Sequence, residues 1–103
     1  MASIHLVERL NNLREVSTNP PIWESGYWKV SIKTAESLIG GDLYLHNGQL
    51  EASHFGGKIL GYRVHEAESA SNGRLIFRIA PSDAYKGVST TTNGWGNEKK
   101  LVW

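Results

Sequence analysis

The sequence predicts an α+β domain: an N-terminal helix followed by a curled, mixed or antiparallel sheet of five to six strands. Three observations carry that expectation. Apolar residues recur near helical spacing over 3–16, and apolar and polar residues alternate over Tyr27–Lys33 and Arg74–Ile79. Glycines at 41, 56, 57 and 61 permit the tight bends that a small barrel needs. The chain of 103 residues is the size of one domain with one core, the helix at 3–16 and the sheet over 27–103.

Each element follows from local chemistry. Ile4, Val7, Leu10 and Leu13 line one face of the first helix, Glu8, Arg9, Asn12 and Arg14 lie between them, and Ser3 caps it. Asn19-Pro20-Pro21 stops it, because proline disfavours helix in the residue before it and donates no hydrogen bond. Ile22 to Gly26 reads as a loop carrying Trp23. In the first strand Trp28, Val30 and Ile32 share a face. Thr34 caps a short helix through Ile39, and Gly40 suits its left-handed exit.

The second strand is Asp42 to His46, followed by the Asn47-Gly48 turn and a loop through Gly57. Lys58 to His65 forms the third strand, and Glu66 to Gly73 reads as a mobile connection. Leu75, Phe77 and Ile79 face inward from the fourth. Pro81 to Gly87 makes one helical turn capped by Ser82, and Lys99 to Trp103 is a last strand that closes the sheet.

Composition narrows the function. With 11 basic and 10 acidic residues the formal charge is +1, so no general field attracts DNA and any nucleic-acid contact needs a local patch. The absence of cysteine excludes disulfides and thiolate zinc sites. His5, His46, His54 and His65 lack the paired spacing of metal ligands. No nucleotide loop or nucleophile motif appears, so no cofactor, metal or catalytic residue is assigned. The N-terminus has no long apolar run, and no stretch approaches the roughly 20 residues of a membrane span. The expectation is a cytoplasmic protein with no membrane partner, for which a homodimer stays open.

The densest unusual stretch is Ser53-His54-Phe55-Gly56-Gly57. Its glycines allow close approach to a ligand, and His54 and Phe55 offer a hydrogen-bonding ring and a stacking face; the alternative is a turn whose phenylalanine plugs the core. Trp23, Tyr27, Trp28 and Trp95 are the aromatic candidates, with Trp28 read as core and Trp23 and Trp95 split between stacking and packing. Lys29, Lys33, Lys58, Arg63, Arg74, Arg78, Lys99 and Lys100 would make a phosphate-contacting rim if the sheet gathers them, or else a solvated face.

Tyr27-Trp28-Lys29-Val30, the helix at 34–39, Gly41-Asp42, the run from Gly57 to Val64 and the strand at Arg74–Ile79 together resemble the PUA-like superfamily, nearest its EVE and ASCH branches. The N-terminal helix, the short chain and the lack of an ASCH-type lysine–glutamate pairing depart from that pattern. The resemblance implies a small β-barrel whose pocket accepts a flipped or modified base. Its lining would be Trp23, Tyr27, Trp28, Ser53, His54 and Phe55, with Lys58 and Arg63 on phosphate.

The expected function is thus a non-enzymatic nucleic-acid binding module. A small protein-interaction or inhibitor protein of the kind phages and mobile elements encode is the second reading, marked by an exposed patch with Trp23, Trp95 or Trp103. A small hydrolase is third, marked by a buried histidine or glutamate with a shifted pKa in a pocket.

Overall fold

In a computed structural model, described over residues 2–9, 12–68, 72–96 and 98–103, one helix packs with a mixed seven-stranded sheet. The strands are β1 (Ser3–Val7), β2 (Leu13–Thr18), β3 (Pro21–Trp28), β4 (Asp42–His46), β5 (Ser53–Val64), β6 (Leu75–Pro81) and β7 (Lys99–Val102). Helix α1 (Ile32–Leu38) joins β3 to β4, and a 3-10 turn (Asp83–Tyr85) follows β6. Across the sheet the order is β2-β3-β6-β5-β4-β1-β7. β1 and β4 run parallel and the other pairs antiparallel.

The helix expected over 3–16 is replaced by β1 and β2. Ile4 and Leu6 point into the core while Ser3, His5 and Val7 face the other side, which is also covered, so β1 is buried along its whole length. A strand buried on both faces loses the alternation that would identify it. The helical spacing of Ile4, Val7 and Leu13 is coincidental, and Leu10 lies outside the described residues.

Two boundaries shift for a local reason. Ser31, and not Thr34, caps α1: its Oγ accepts the Thr34 N–H at 3.1 Å. The helix therefore starts at Ile32, which is 56% exposed, and the strand expected over 27–33 ends at Trp28. That strand begins instead at Pro21, where a proline is tolerated as the first residue. The turn Ser82–Gly87 forms as expected, with Ser82 as cap and Gly87 at φ +77°. Gly40 leaves α1 at φ +85°. Of the connection 66–73, residues 69–71 lie outside the described residues.

The sheet curls without closing, since no pairing joins β2 to β7 among the described residues. Lys99 Nζ nevertheless donates to the Lys29 carbonyl at 2.6 Å. Five flat strand spacings would put β3 and β7 about 24 Å apart. Inside the curl sit Ile4, Leu6, Leu43, Leu45, Ile59, Leu75, Phe77 and Ile79, with Trp28, Val30, Ala35 and Leu38 from β3 and the α1 segment. Trp28 is core as the alternation implies, and its indole N–H donates to Ser25 Oγ at 3.0 Å.

Residues 53–57 form the start of β5, not a loop. Gly56 faces Tyr44 of β4, and Tyr85 crosses directly above it. Gly57 lies against the β6 backbone at Ala80 and Pro81. The glycine pair thus serves close packing of this chain on itself.

Candidate nucleic-acid interface

Two places gather cations, and the curl and the strand register create them. The first is a cleft around Arg74, where the start of β6 meets the end of β3 and the start of β7. A cavity of about 350 Å³ is lined by Leu6, Trp28, Lys29, Arg74, Glu98 and Lys99. It shares Lys29, Arg74 and Lys99 with a wider groove of about 610 Å³, and Arg74 also borders a small pocket against Tyr27 and Trp28. The half-buried Arg74 guanidinium has no side-chain partner among the described residues.

The second lies on the outer face of the sheet. Register sets Arg14 of β2 opposite Glu24 of β3, and Glu24 opposite Arg78 of β6. Arg78 in turn faces Gly61 of β5, two residues before Arg63. Arg63 holds the Glu24 carboxylate with Nε at 3.1 Å and Nη2 at 3.0 Å, Arg14 Nη2 adds a bond at 3.2 Å and Arg78 Nη2 one at 3.4 Å. Glu24 is only 4% exposed, while the three arginines are half-exposed or more. Arg63 above all, with Arg14 and Arg78, holds the carboxyl down to about 2 against the upward push of burial.

An aromatic pair joins the two places. Tyr27 stacks on His65 with centroids 4.0 Å apart, and His65 follows Arg63 by two residues in the chain. The whole chain is nearly neutral at +1. Yet these two places hold seven cations against Glu8, Glu24 and Glu98, which leaves the rest of the chain net acidic.

The residues picked from sequence divide among several locations. Tyr27, Trp28 and Arg63 fall at the two basic places. Trp23 and Phe55 meet each other, centroids 5.2 Å apart, packed against the core. Ser53 is buried with its hydroxyl engaged: it donates to the Tyr85 carbonyl at 2.6 Å and accepts from Val88 N–H at 2.9 Å. His54 is exposed beside it, so Ser53, His54 and Phe55 share neither basic place. Lys58 donates to the Gly40 carbonyl at 3.2 Å, apart from Arg63. Lys100 is withdrawn from any rim, being buried with Nζ on Thr90 Oγ1 and both oxygens of Thr91.

Trp95 covers a buried polar cluster that sequence reasoning did not assemble. Across β7, β1, β4 and β5, Lys100, His5, Tyr44 and Gly56 stand in one row. His5 stacks on Tyr44 at 4.7 Å, and Trp95 stands edge-on to His46 at 5.7 Å. His46 Nδ1 lies 2.7 Å from the Glu51 carbonyl, which can only accept, so Nδ1 carries the proton. Its Nε2 lies 2.9 Å from His5 Nδ1, a hydrogen bond whose direction the ring tautomers set. Burial first, then His46 and Lys100, lower the His5 pKa to about 4. This is the shifted histidine that a hydrolase reading calls for, but neither ring lines the cavities described above.

Arg14, Glu24 and the His5–His46 pair escaped the sequence because their partners are 10 to 54 residues away in the chain. The one local signal was a glutamate placed between Trp23 and Ser25, in a segment otherwise destined for burial. Comparison with family models, with curated proteins and with solved structures found no match.

Proposed function

We propose that the protein is a non-enzymatic binding module for nucleic acid that engages a strand at the cleft around Arg74. The observation that carries this reading is the cleft's composition. Phosphate requires cations, supplied by Arg74, Lys29 and Lys99; a base requires a flat aromatic surface, and half-buried Tyr27, stacked on His65, supplies it beside the cleft. The resemblance of residues 27–79 to PUA-like barrels supports the same reading, and a flipped or modified base is the occupant it favours.

The test is a titration of short labelled single- and double-stranded DNA and RNA at several salt concentrations. Binding should weaken with salt, and Arg74→Gln should lower affinity about tenfold and the salt slope by about one, with an unchanged melting temperature. No binding by any of these at low salt overturns the proposal. One observation favours a protein partner as the second reading: Trp103 is 64% exposed and Val102 39% exposed at the end of β7, beyond the part of its outer edge that Trp95 and Gly96 meet. A partner captured equally by wild type and Arg74→Gln would mark it.

A further inference from the structure

We propose that Arg14, Arg63 and Arg78, gathered on Glu24, form a second anion site that grips phosphate groups; that these belong to the same strand rests on the nucleic-acid reading.

The charge balance argues first. One bidentate arginine satisfies a carboxylate, and Arg63 already provides that fork. Drawing Arg14 and Arg78 to the same group leaves two positive charges without a counter-ion in the cluster. Buried Glu24 needs the Arg63 fork, but Arg14 and Arg78 are more than half-exposed, so folding gains little from adding them to it. The carboxylate engages a minority of the N–H donors that three guanidiniums carry, and the others remain for oxyanions.

Preorganisation argues next. Glu24 is fixed by burial in β3 and holds the guanidiniums together before any ligand arrives, which lowers the entropy lost on binding. Glu24 is thus a positioning residue. The surface beside it is dented, because Gly61 has no side chain: a Cβ there would meet nothing within 4 Å. The dent of about 270 Å³ has Arg63 and Arg78 on its walls together with the Glu24 they hold, Tyr62 beside them, and Leu60 and Ile76 as apolar floor. A phosphate fits against the walls and part of a sugar over the floor.

Continuity gives the site its direction. Tyr27 borders the Arg74 cleft and stacks on His65, two residues beyond Arg63 in the chain, so a strand leaving the cleft passes the Tyr27–His65 stack on its way to the arginines.

The experiment follows the arginine Nε–H signals by NMR while inorganic phosphate, and separately a short oligothymidylate, is added. Gly61→Glu is the main variant, since it places a carboxylate in open space and removes no existing contact; Arg78→Gln is the second, should the first fail to fold. Phosphate should move the Arg63 and Arg78 signals in the wild type. Both variants should abolish that movement, and Gly61→Glu should weaken the oligonucleotide at least about tenfold and reduce the salt slope by about two, with melting unchanged. Unmoved arginine signals, or oligonucleotide binding indifferent to both variants, overturn the site while leaving the Arg74 reading intact. Phosphate-driven movement without oligonucleotide binding upholds the anion site and overturns the nucleic-acid reading.

Discussion

Gly57→Ala should cost about 3 kcal/mol or more and lower the melting temperature by about 12 °C or more. A Cβ at this position would lie 2.3 Å from the Ala80 carbonyl oxygen, 2.7 Å from its carbon and 2.9 Å from Pro81 Cα. All three are backbone atoms of β6, a strand paired on both sides, so no side chain can swing away. The sheet must part locally or the strands must slip. Gly56→Ala meets the same obstruction at the Leu43 carbonyl, 2.2 Å away, and at Tyr85 Cβ, 2.9 Å away. Gly61→Ala is the internal control: nothing lies within 4 Å, and alanine should be neutral or slightly stabilising. Urea and thermal unfolding of the three variants decide the matter. If Gly57→Ala falls within about 1 kcal/mol of Gly61→Ala, the close approach of β5 to β6 is wrong.

The second large effect is a loss of stability on mild acidification, traced to His5. The groups that face it are His46, Tyr44, Trp95 and Lys100. Its pKa falls from 6.5 in a free chain to about 4 in the fold, so on acidification the unfolded chain takes up the proton first. Stability is therefore full above about pH 6.5 and declines as pH falls towards 4, by roughly 2–3 kcal/mol in total. His54, lowered by burial and by His46, adds in the same direction. Glu24 acts in a separate, more acid window between 4.5 and about 2, and its contribution is reduced by solvent around its exposed arginines. Urea unfolding at pH 7.5 and pH 4.5 under constant ionic strength should show the loss, and His5→Gln should shrink it. A flat profile across that interval would refute the lowered pKa of buried His5.

These two predictions also show where the sequence was readable. β4, the end of β5, β6 and the Ser82-capped turn were legible because their signals are local: alternation, a capping serine, a glycine that must turn. β1 was not, since what makes Ser3–Val7 a strand is its position between β4 and β7, and pairing partners 39 and 99 residues away leave no mark on the segment itself. The Gly56–Gly57 pair was noticed for a valid reason, close approach, but the approaching group is Tyr85 above one and Ala80 beside the other. Of the interface, the sequence offered Tyr27, Trp28, Arg63 and a roster of cations. It could not show that Arg14 and Arg78 converge on Glu24, because that depends on the register of three strand pairs together.

The placement of β1 has a consequence for how the protein is made. The strand nearest the N-terminus lies inside the sheet, with β4 on one side and β7 on the other. On a ribosome, residues 3–7 emerge before their partners and wait until 99–102 have emerged before their second edge is covered. During that interval a short apolar strand offers unpaired backbone to any passing chain. Covering β1 therefore waits on β7, and a pause in translation between the two prolongs the period in which the first strand is open to aggregation.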